Sequence, residues 1–502
     1  MNVENFMIND LKNEQILTGQ QMIEYDILLP DYFDNIGKIM KCSVLPYVET
    51  VTCSGDRISI AGSLQISVLY VGEDENLYCY DNEYKYTKIL NNSIELNDNY
   101  FIEQELLSLN YRAVGPKRID IKGMLQLSAR IYCREEFAIV QDVIHDGIYC
   151  KKTENESVLC KGIYSRSFSL SDDISVDGGC IKSIIRKDCK VNIDEKKIIA
   201  NKVYMKGICK LTLVYIAEDT NTVKSFIKEV PFSEVIDIYS LEECDSLDIC
   251  NVKSKTSCNL KSLENGNSNI SVNIDLSFNL KVSTKTNITF VEDVYSTVGE
   301  IDTEYSELLI ENYYERKLDN FVISFEADVF SESDFDICDC NIDCLKVTTE
   351  QSDEQIKIIV NADYCALIKQ NDGLYNYVIR NITKEYLVEN ENKDTKINLL
   401  DVYMLSVSAL HLSGGKIKFS ADYFVDYILV NSCKVNALTK ILCDDLSDSY
   451  NEKGFMVYFA QKGESLWDIA KENKTQSKLI MEINDINSEK LSDDKMLVFP
   501  IF

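Results

Sequence analysis

Proline is scarce in this sequence, 5 in 502 residues, which excludes a proline-rich disordered scaffold. Histidine is scarcer. The two, His145 and His411, are isolated in the sequence, and neither has a Ser or Cys nucleophile nearby in a G-x-S-x-G elbow. No G-x-x-x-x-G-K-[ST] loop and no strand-linked G-x-G-x-x-G is present to cradle a phosphate. Cations are in deficit: 52 Lys and Arg stand against 82 Asp and Glu, a formal charge of -30. Nucleic-acid binding needs the opposite excess, as does an electrostatic anchor on anionic lipid. The acidic charge either keeps the chain soluble or reads a basic partner. No apolar run approaches the roughly 18–20 residues of a membrane span, so no transmembrane anchor is expected. The first ten residues have no basic stretch followed by an apolar one, so no secretory signal is expected.

Cysteine, by contrast, is plentiful. The 18 cysteines are scattered without a repeated framework, the pattern of buried thiols in a reducing compartment rather than of disulfides. The densest group, Cys338, Cys340 and Cys344, has C-x-C-x-x-x-C spacing with no second half; incidental thiols are expected, with a metal site the alternative. The acidic run Glu332–Asp336 lacks calcium-loop spacing and is expected to be a solvated loop. No catalytic residue, metal ligand or cofactor is assigned.

A chain of 502 residues exceeds one core and suggests about three or four domains. Three stretches, from Arg57, from Ala200 and from Ile356, alternate apolar and polar residues and then reach an acidic or Asn/Gly-containing tip. Each predicts a β-hairpin with one buried face. Gly62, Gly207 and Ala362 hold equivalent places, and a small residue in mid-strand marks a bulge or close packing. A second segment recurs downstream, in which a turn precedes a long alternating strand: Val114–Tyr132, Glu264–Val282 and Leu412–Leu429. The expected fold is mainly β: three tandem antiparallel β-rich domains, sandwich or barrel-like, over 14–147, 164–298 and 310–447. Linkers are expected around Lys151–Glu156, Thr297–Glu304 and Asp444–Lys453.

The remaining stretch, 454–502, has a different pattern. Phe455, Val457 and Phe459 form one face of a short strand. Gly463 then turns the chain, and Ser465-Leu-Trp-Asp468 predicts a helix start with the Ser465 hydroxyl as cap. A second helix is expected from Ser477, then an exit loop at Asn484, Asp485 and Asn487, and a strand over Met496–Val498 stopped by Pro500. This strand–helix–helix–strand order, with Lys462, Gly463, Glu464, Ser465, Leu466, Trp467, Ile469, Ala470, Asn484, Leu497 and Pro500 in place, resembles the LysM domain. The resemblance implies a βααβ fold and a groove formed by Lys462–Trp467 and Asn484, Asp485, Ile486 and Asn487. Glu464 and Ser465 replace the family's usual Asp-Thr in a loop that holds N-acetylated sugars. Trp467, the only tryptophan, has two readings: packing of the first helix onto its sheet, or a groove hot spot.

Three β-rich repeats followed by a LysM domain resemble the SPOCS-domain spore coat proteins of the SipL type. That resemblance implies a non-enzymatic scaffold in the mother-cell cytosol, at the outer forespore membrane surface and spore coat. Its LysM groove would bind the coat morphogenetic ATPase SpoIVA, with other coat proteins as further partners. The alternatives are a wall protein binding peptidoglycan through N-acetylglucosamine, which the lack of an export signal and the altered Glu464-Ser465 loop oppose, and an enzyme with an unrecognised site.

Overall fold

The computed structural model describes residues 1–91, 99–176, 180–199, 201–238, 241–262, 268–329, 334–352, 355–388, 395–443 and 454–501. Nearly all of it is antiparallel β-sheet. The first six strands are β1 (Asn2–Leu28), β2 (Ile36–Ser54), β3 (Arg57–Gly72), β4 (Leu77–Asn91), β5 (Tyr100–Gly115) and β6 (Arg118–Ile144). They form two three-stranded sheets, β1-β6-β5 and β2-β3-β4. The next six repeat that order: β7 (Ile148–Val176), β8 (Ile181–Ile199), β9 (Lys202–Ala217), β10 (Val223–Asp237), β11 (Ser246–Ser262) and β12 (Ser268–Ser296). So do β13 (Ile301–Asp328), β14 (Phe335–Gln351), β15 (Ile356–Gln370), β16 (Tyr375–Val388), β17 (Thr395–Leu412) and β18 (Lys416–Cys443).

Alternation explains the layering. Along β3, Ile58, Ile60, Leu64, Ile66, Val68 and Tyr70 point one way and are buried. They meet Ile121, Leu125 and Leu127 of β6, so two sheets share one core. The second group does the same with Met205, Leu211 and Leu213 against Ile274, Leu276 and Phe278. In the third, Ile358, Val360 and Tyr364 meet Phe419, Tyr423 and Val425, and the Tyr364 and Tyr423 hydroxyls hydrogen-bond at 2.7 Å. The three expected hairpins are β3–β4, β9–β10 and β15–β16.

The small mid-strand residues sit opposite bulges. One residue of β2 is skipped across from Gly62, one of β8 across from Gly207, and two of β14 across from Ala362. A second set of bulges has a different result. Met40, Ile185 and Cys338 are each skipped between two ladder partners, and all three leave their own sheets' cores for one shared apolar cluster with Leu69, Ile216 and Leu367.

The three groups close into a ring: β4 touches β8, β10 touches β14, and β16 touches β2. The long strand pairs β1–β6, β7–β12 and β13–β18 meet as well. Val140 and Val143, Val291 and Val294, and Leu438 and Ile441 join in one cluster, and Ile139, Phe290 and Ala437 in another. Each seam carries an ion pair: Lys187 with Asp81, Arg186 with Asp339, and Lys41 with Asp343. Arg186 binds Asp339 in bidentate fashion, both contacts at 2.8 Å.

Two expectations are corrected here. Lys151–Glu156 is no linker but part of β7, laddered to β12; its charges are the solvent-side residues of a strand, and Lys152 pairs with Asp142 at 2.6 Å. The end of the Thr297–Glu304 stretch opens β13. The expected linker Asp444–Lys453, most of the turn Glu264–Ser268 and Glu332 lie outside the described residues.

At the seam between the second and third groups, Asp401 accepts from Val402 N–H (2.8 Å) and from Val252 N–H (3.3 Å). Burial pushes its carboxyl up to about 6, helped by Asp426 and opposed by those two N–H groups and Lys253. A raised carboxyl favours the folded state at low pH, and that advantage is lost as pH rises from about 4 through about 6. Asp401→Asn is therefore expected to melt above the wild type at pH 8, with the gap fading toward pH 4. Thermal denaturation of both proteins across that range checks it; a gap that ignores pH would refute the assignment.

Candidate functional site

The C-terminal module consists of β19 (Gly454–Ala460), α1 (Leu466–Glu472), α2 (Ser477–Ile483) and β20 (Lys495–Ile501). Both helices are short because polar breaks bound them, and packing rather than propensity holds them. Leu466, Ile469, Ala470 and Ile480 are buried against Leu497 and Phe499 on the inner face of the β19–β20 sheet. Thr475 ties the helices to the sheet through a hydrogen bond to the Pro500 carbonyl (2.8 Å).

Two local expectations change. Ser465 occupies the N-cap position of α1, but its hydroxyl makes no capping hydrogen bond. The loop is held by backbone pairing instead: Gly463 N–H donates to Leu491 O (2.8 Å), Leu491 N–H to Glu464 O (3.1 Å) and Leu466 N–H to Glu489 O (2.8 Å). Pro500 does not stop β20 but lies within it, opposite Phe455. Both strands of a two-stranded sheet are edge strands, where a missing N–H is tolerated.

The expected groove residues divide by burial. Lys462, Gly463, Asp485 and Asn487 are exposed, Glu464 and Ser465 half-buried, and Leu466, Trp467 and Ile486 buried. Asn484 is structural: its amide donates to Ile480 O and Val498 O and accepts from Val498 N–H, each at 2.8 Å. This stitches the end of α2 to β20. Asp485 follows in a left-handed conformation, φ 49°.

Trp467 turns away from the groove toward the body of the protein. Its indole Nε1–H donates to Asp293 of β12 (2.8 Å), and its ring meets Tyr295 edge-on with centroids 4.8 Å apart. Lys471 also reaches Asp293 (2.6 Å), and the Tyr295 hydroxyl donates to Thr475 O (2.9 Å). Burial alone would push the Asp293 carboxyl up, but the Lys471 and Trp467 hydrogen bonds outweigh it and hold it below the usual range. Nothing in the local sequence around Asp293 and Tyr295 singled them out, because their partners lie more than 170 residues downstream.

The opposite face of the module is open. Phe455, Val457, Phe459 and Met496 are 67%, 54%, 76% and 56% exposed, with Phe459 directly opposite Met496 in the ladder. The period-two reading placed the three β19 residues on one face; the structure turns that face to solvent. A contiguous apolar patch on a small charged module marks an interaction surface.

The other candidates stand apart. His145 is half-buried in the turn after β6, with Nδ1 2.6 Å from Asp146 O. His411 packs against Phe335, ring centroids 4.2 Å apart and the rings tilted by 50°. Cys338 belongs to the shared apolar cluster, while Cys340 packs against the third core, and burial pushes their thiols up to about 11 and about 12. The Cys344 side chain lies outside the described residues. Among the described residues no helix is long and apolar enough to cross a membrane.

Residues 180–258, which span β8 to most of β11, match the family described as SipL, SPOCS domain. Residues 458–500 match the LysM domain. No curated protein and no solved structure matches the chain. Both matched domains are binding domains. The chain thus joins a SipL-type SPOCS domain to a C-terminal LysM domain, the combination of a SipL-type protein.

Proposed function

We propose that the chain is a non-enzymatic scaffold of spore coat assembly, acting in the mother-cell cytosol at the forespore surface. On this reading the three six-stranded groups are three SPOCS copies, sandwich-like and built to one plan, and the LysM domain docks the coat ATPase SpoIVA. The observation that carries the docking is the exposed Phe455, Val457, Phe459 and Met496 face. It runs along β19 into the Lys462–Ser465 turn, and Lys462, Gly463, Asp485 and Asn487 of the groove set are exposed as well. The buried members of the groove set, Leu466, Trp467 and Ile486, support that surface from within. Many copies in a shell add avidity to each weak contact.

The second reading, peptidoglycan binding, rests on the LysM match itself. Binding of the full chain to immobilised SpoIVA, beside its retention on insoluble peptidoglycan, separates the two. The expected result is saturable SpoIVA binding without wall retention, weakened at least ~10-fold by Phe459→Ser as for an interface anchor. Retention on peptidoglycan with no SpoIVA binding would sink the scaffold reading.

A further inference from the structure

A cavity of about 1060 Å³ opens where the three groups of strands meet, and each group contributes to its wall. Small-molecule sites typically enclose roughly 300–1,000 Å³. The charged groups around it fall into two kinds. Lys41, Arg186 and Lys187 are already paired across the seams, as described above. Three further cations, Lys190, Lys210 and Lys253, have no ion pair among the described residues.

Lys190, on β8, has no hydrogen-bond or ion-pair partner among the described residues. Lys210 lies directly opposite it on β9, a like-charge juxtaposition that destabilises a sheet unless an anion intervenes. The acid two residues along, Asp188, is already 3.7 Å from Arg186. Lys253, on β11, makes a hydrogen bond to the Gln104 amide, at 3.3 Å, while Glu103 and Asp401 act on it from beyond ion-pair distance. That amide is better satisfied when turned over, its nitrogen donating to Pro46 O (3.0 Å) and its oxygen accepting from Val48 N–H (2.8 Å). So turned, it offers the lysine no acceptor.

Burial pushes the Lys190 and Lys253 ammonium groups below the usual lysine range. The Ser254 hydroxyl donates to Cys189 O (2.7 Å), which sets the two lysine-bearing strands side by side. Of the acids that share the cavity with them, Asp401 is held by backbone N–H groups and Glu229 lies across from Lys210. Leu106, Leu109 and Met404 line the wall with apolar surface.

We infer that this cavity binds a small organic anion, its acid group drawn by the ammonium groups of Lys190 and Lys253 in the wall and its apolar body against Leu106, Leu109 and Met404. The ligand gives these lysines the direct ionic contact that their neighbouring acids, Asp188, Glu103 and Asp401, do not make, and it touches all three groups at once. The probe is 1-anilinonaphthalene-8-sulfonate, titrated into the full chain and followed by fluorescence. A saturable site is expected, weakened at least ~10-fold in K190Q and in K253Q, as for a lost charge-assisted contact. K190R, which keeps the charge, is expected to stay near the wild type. Should a glutamine variant misfold, salt decides on the wild type: raising NaCl about tenfold is expected to weaken the site severalfold. Glutamine variants that fold and bind like the wild type, a site indifferent to salt, or no saturable site would each overturn the inference.

Discussion

Gly207→Val is expected to lower the melting temperature of the cooperative unit around it by roughly 5–10 °C, from about 3 kcal/mol of lost stability. A Cβ on Gly207 would stand 2.2 Å from the Asn192 carbonyl oxygen and 2.7 Å from the Phe232 ring, which covers the glycine from the neighbouring strand. The first obstacle is backbone, so relief requires shifting β8 itself. Gly62 is built the same way, 2.1 Å from the Tyr47 carbonyl oxygen and 2.6 Å from the Tyr86 hydroxyl. Gly62→Val is expected to behave alike.

Ala362 is the internal control. The bulge opposite inserts one extra residue in all three groups, and the third carries a methyl at this place because its neighbour on β16 is Ile382 in place of an aromatic ring. Ala362→Gly is therefore expected to cost only about 1 kcal/mol or less, the backbone-entropy penalty of glycine in a strand. Thermal unfolding followed by circular dichroism measures all three. A Gly207→Val protein that melts with the wild type would mean that the bulge yields freely, and the packing account would fail.

Removal of the Asp293 carboxylate is expected to undock the LysM module, and Trp467 reports it directly. As the only tryptophan, it supplies the whole indole emission. In the docked state the ring is 8% exposed, donates to Asp293 and meets Tyr295. Asp293→Ala leaves the indole N–H without its acceptor and Lys471 without its counter-ion. The emission maximum should move to longer wavelength and quenching by iodide should rise, while the far-UV spectrum stays native.

Trp467→Ala is the harsher change. It removes a large buried aromatic at ~3–5 kcal/mol, together with the edge-on contact to Tyr295, worth about 0.5–1.5 kcal/mol. Much of a small module's stability is at stake, so its melting transition is expected to separate from that of the rest of the chain. The Asp293 carboxyl is held low in the folded state, so its contribution is present above the usual carboxylate pKa and is lost as pH falls through the depressed value. Docking should accordingly persist from pH 8 to pH 5 and release only in stronger acid. An Asp293→Ala spectrum identical to the wild type would show that Asp293 does not hold the module.

The docked orientation bears on function. With Trp467 turned inward, the side of the LysM module that remains free is the β19–β20 face and the rim of its loops. The proposed partner surface and the intrachain contact therefore occupy opposite sides, and both can be engaged at once.

Much of this was legible from local pattern. Alternation along Arg57–Tyr70 commits those residues to a strand with one buried face, since a period of two allows no other arrangement. The same holds for β9 and β15. Gly62 and Gly207 signalled bulges because only a missing side chain lets a neighbouring backbone come that near. The spacing from Lys462 to Pro500 specified the βααβ module, and the charge of -30 followed from composition alone. Other features had no local signature. The alternation around Met40, Ile185 and Cys338 does not say that each is skipped by its ladder and turned toward the other two, because a bulge is a property of a strand pair. The ring closure, the seam ion pairs, the cavity and the Trp467–Asp293 bond all join residues far apart in the chain. Periodicity sets which face of a strand is apolar; which distant surface covers that face is settled only when the whole chain packs.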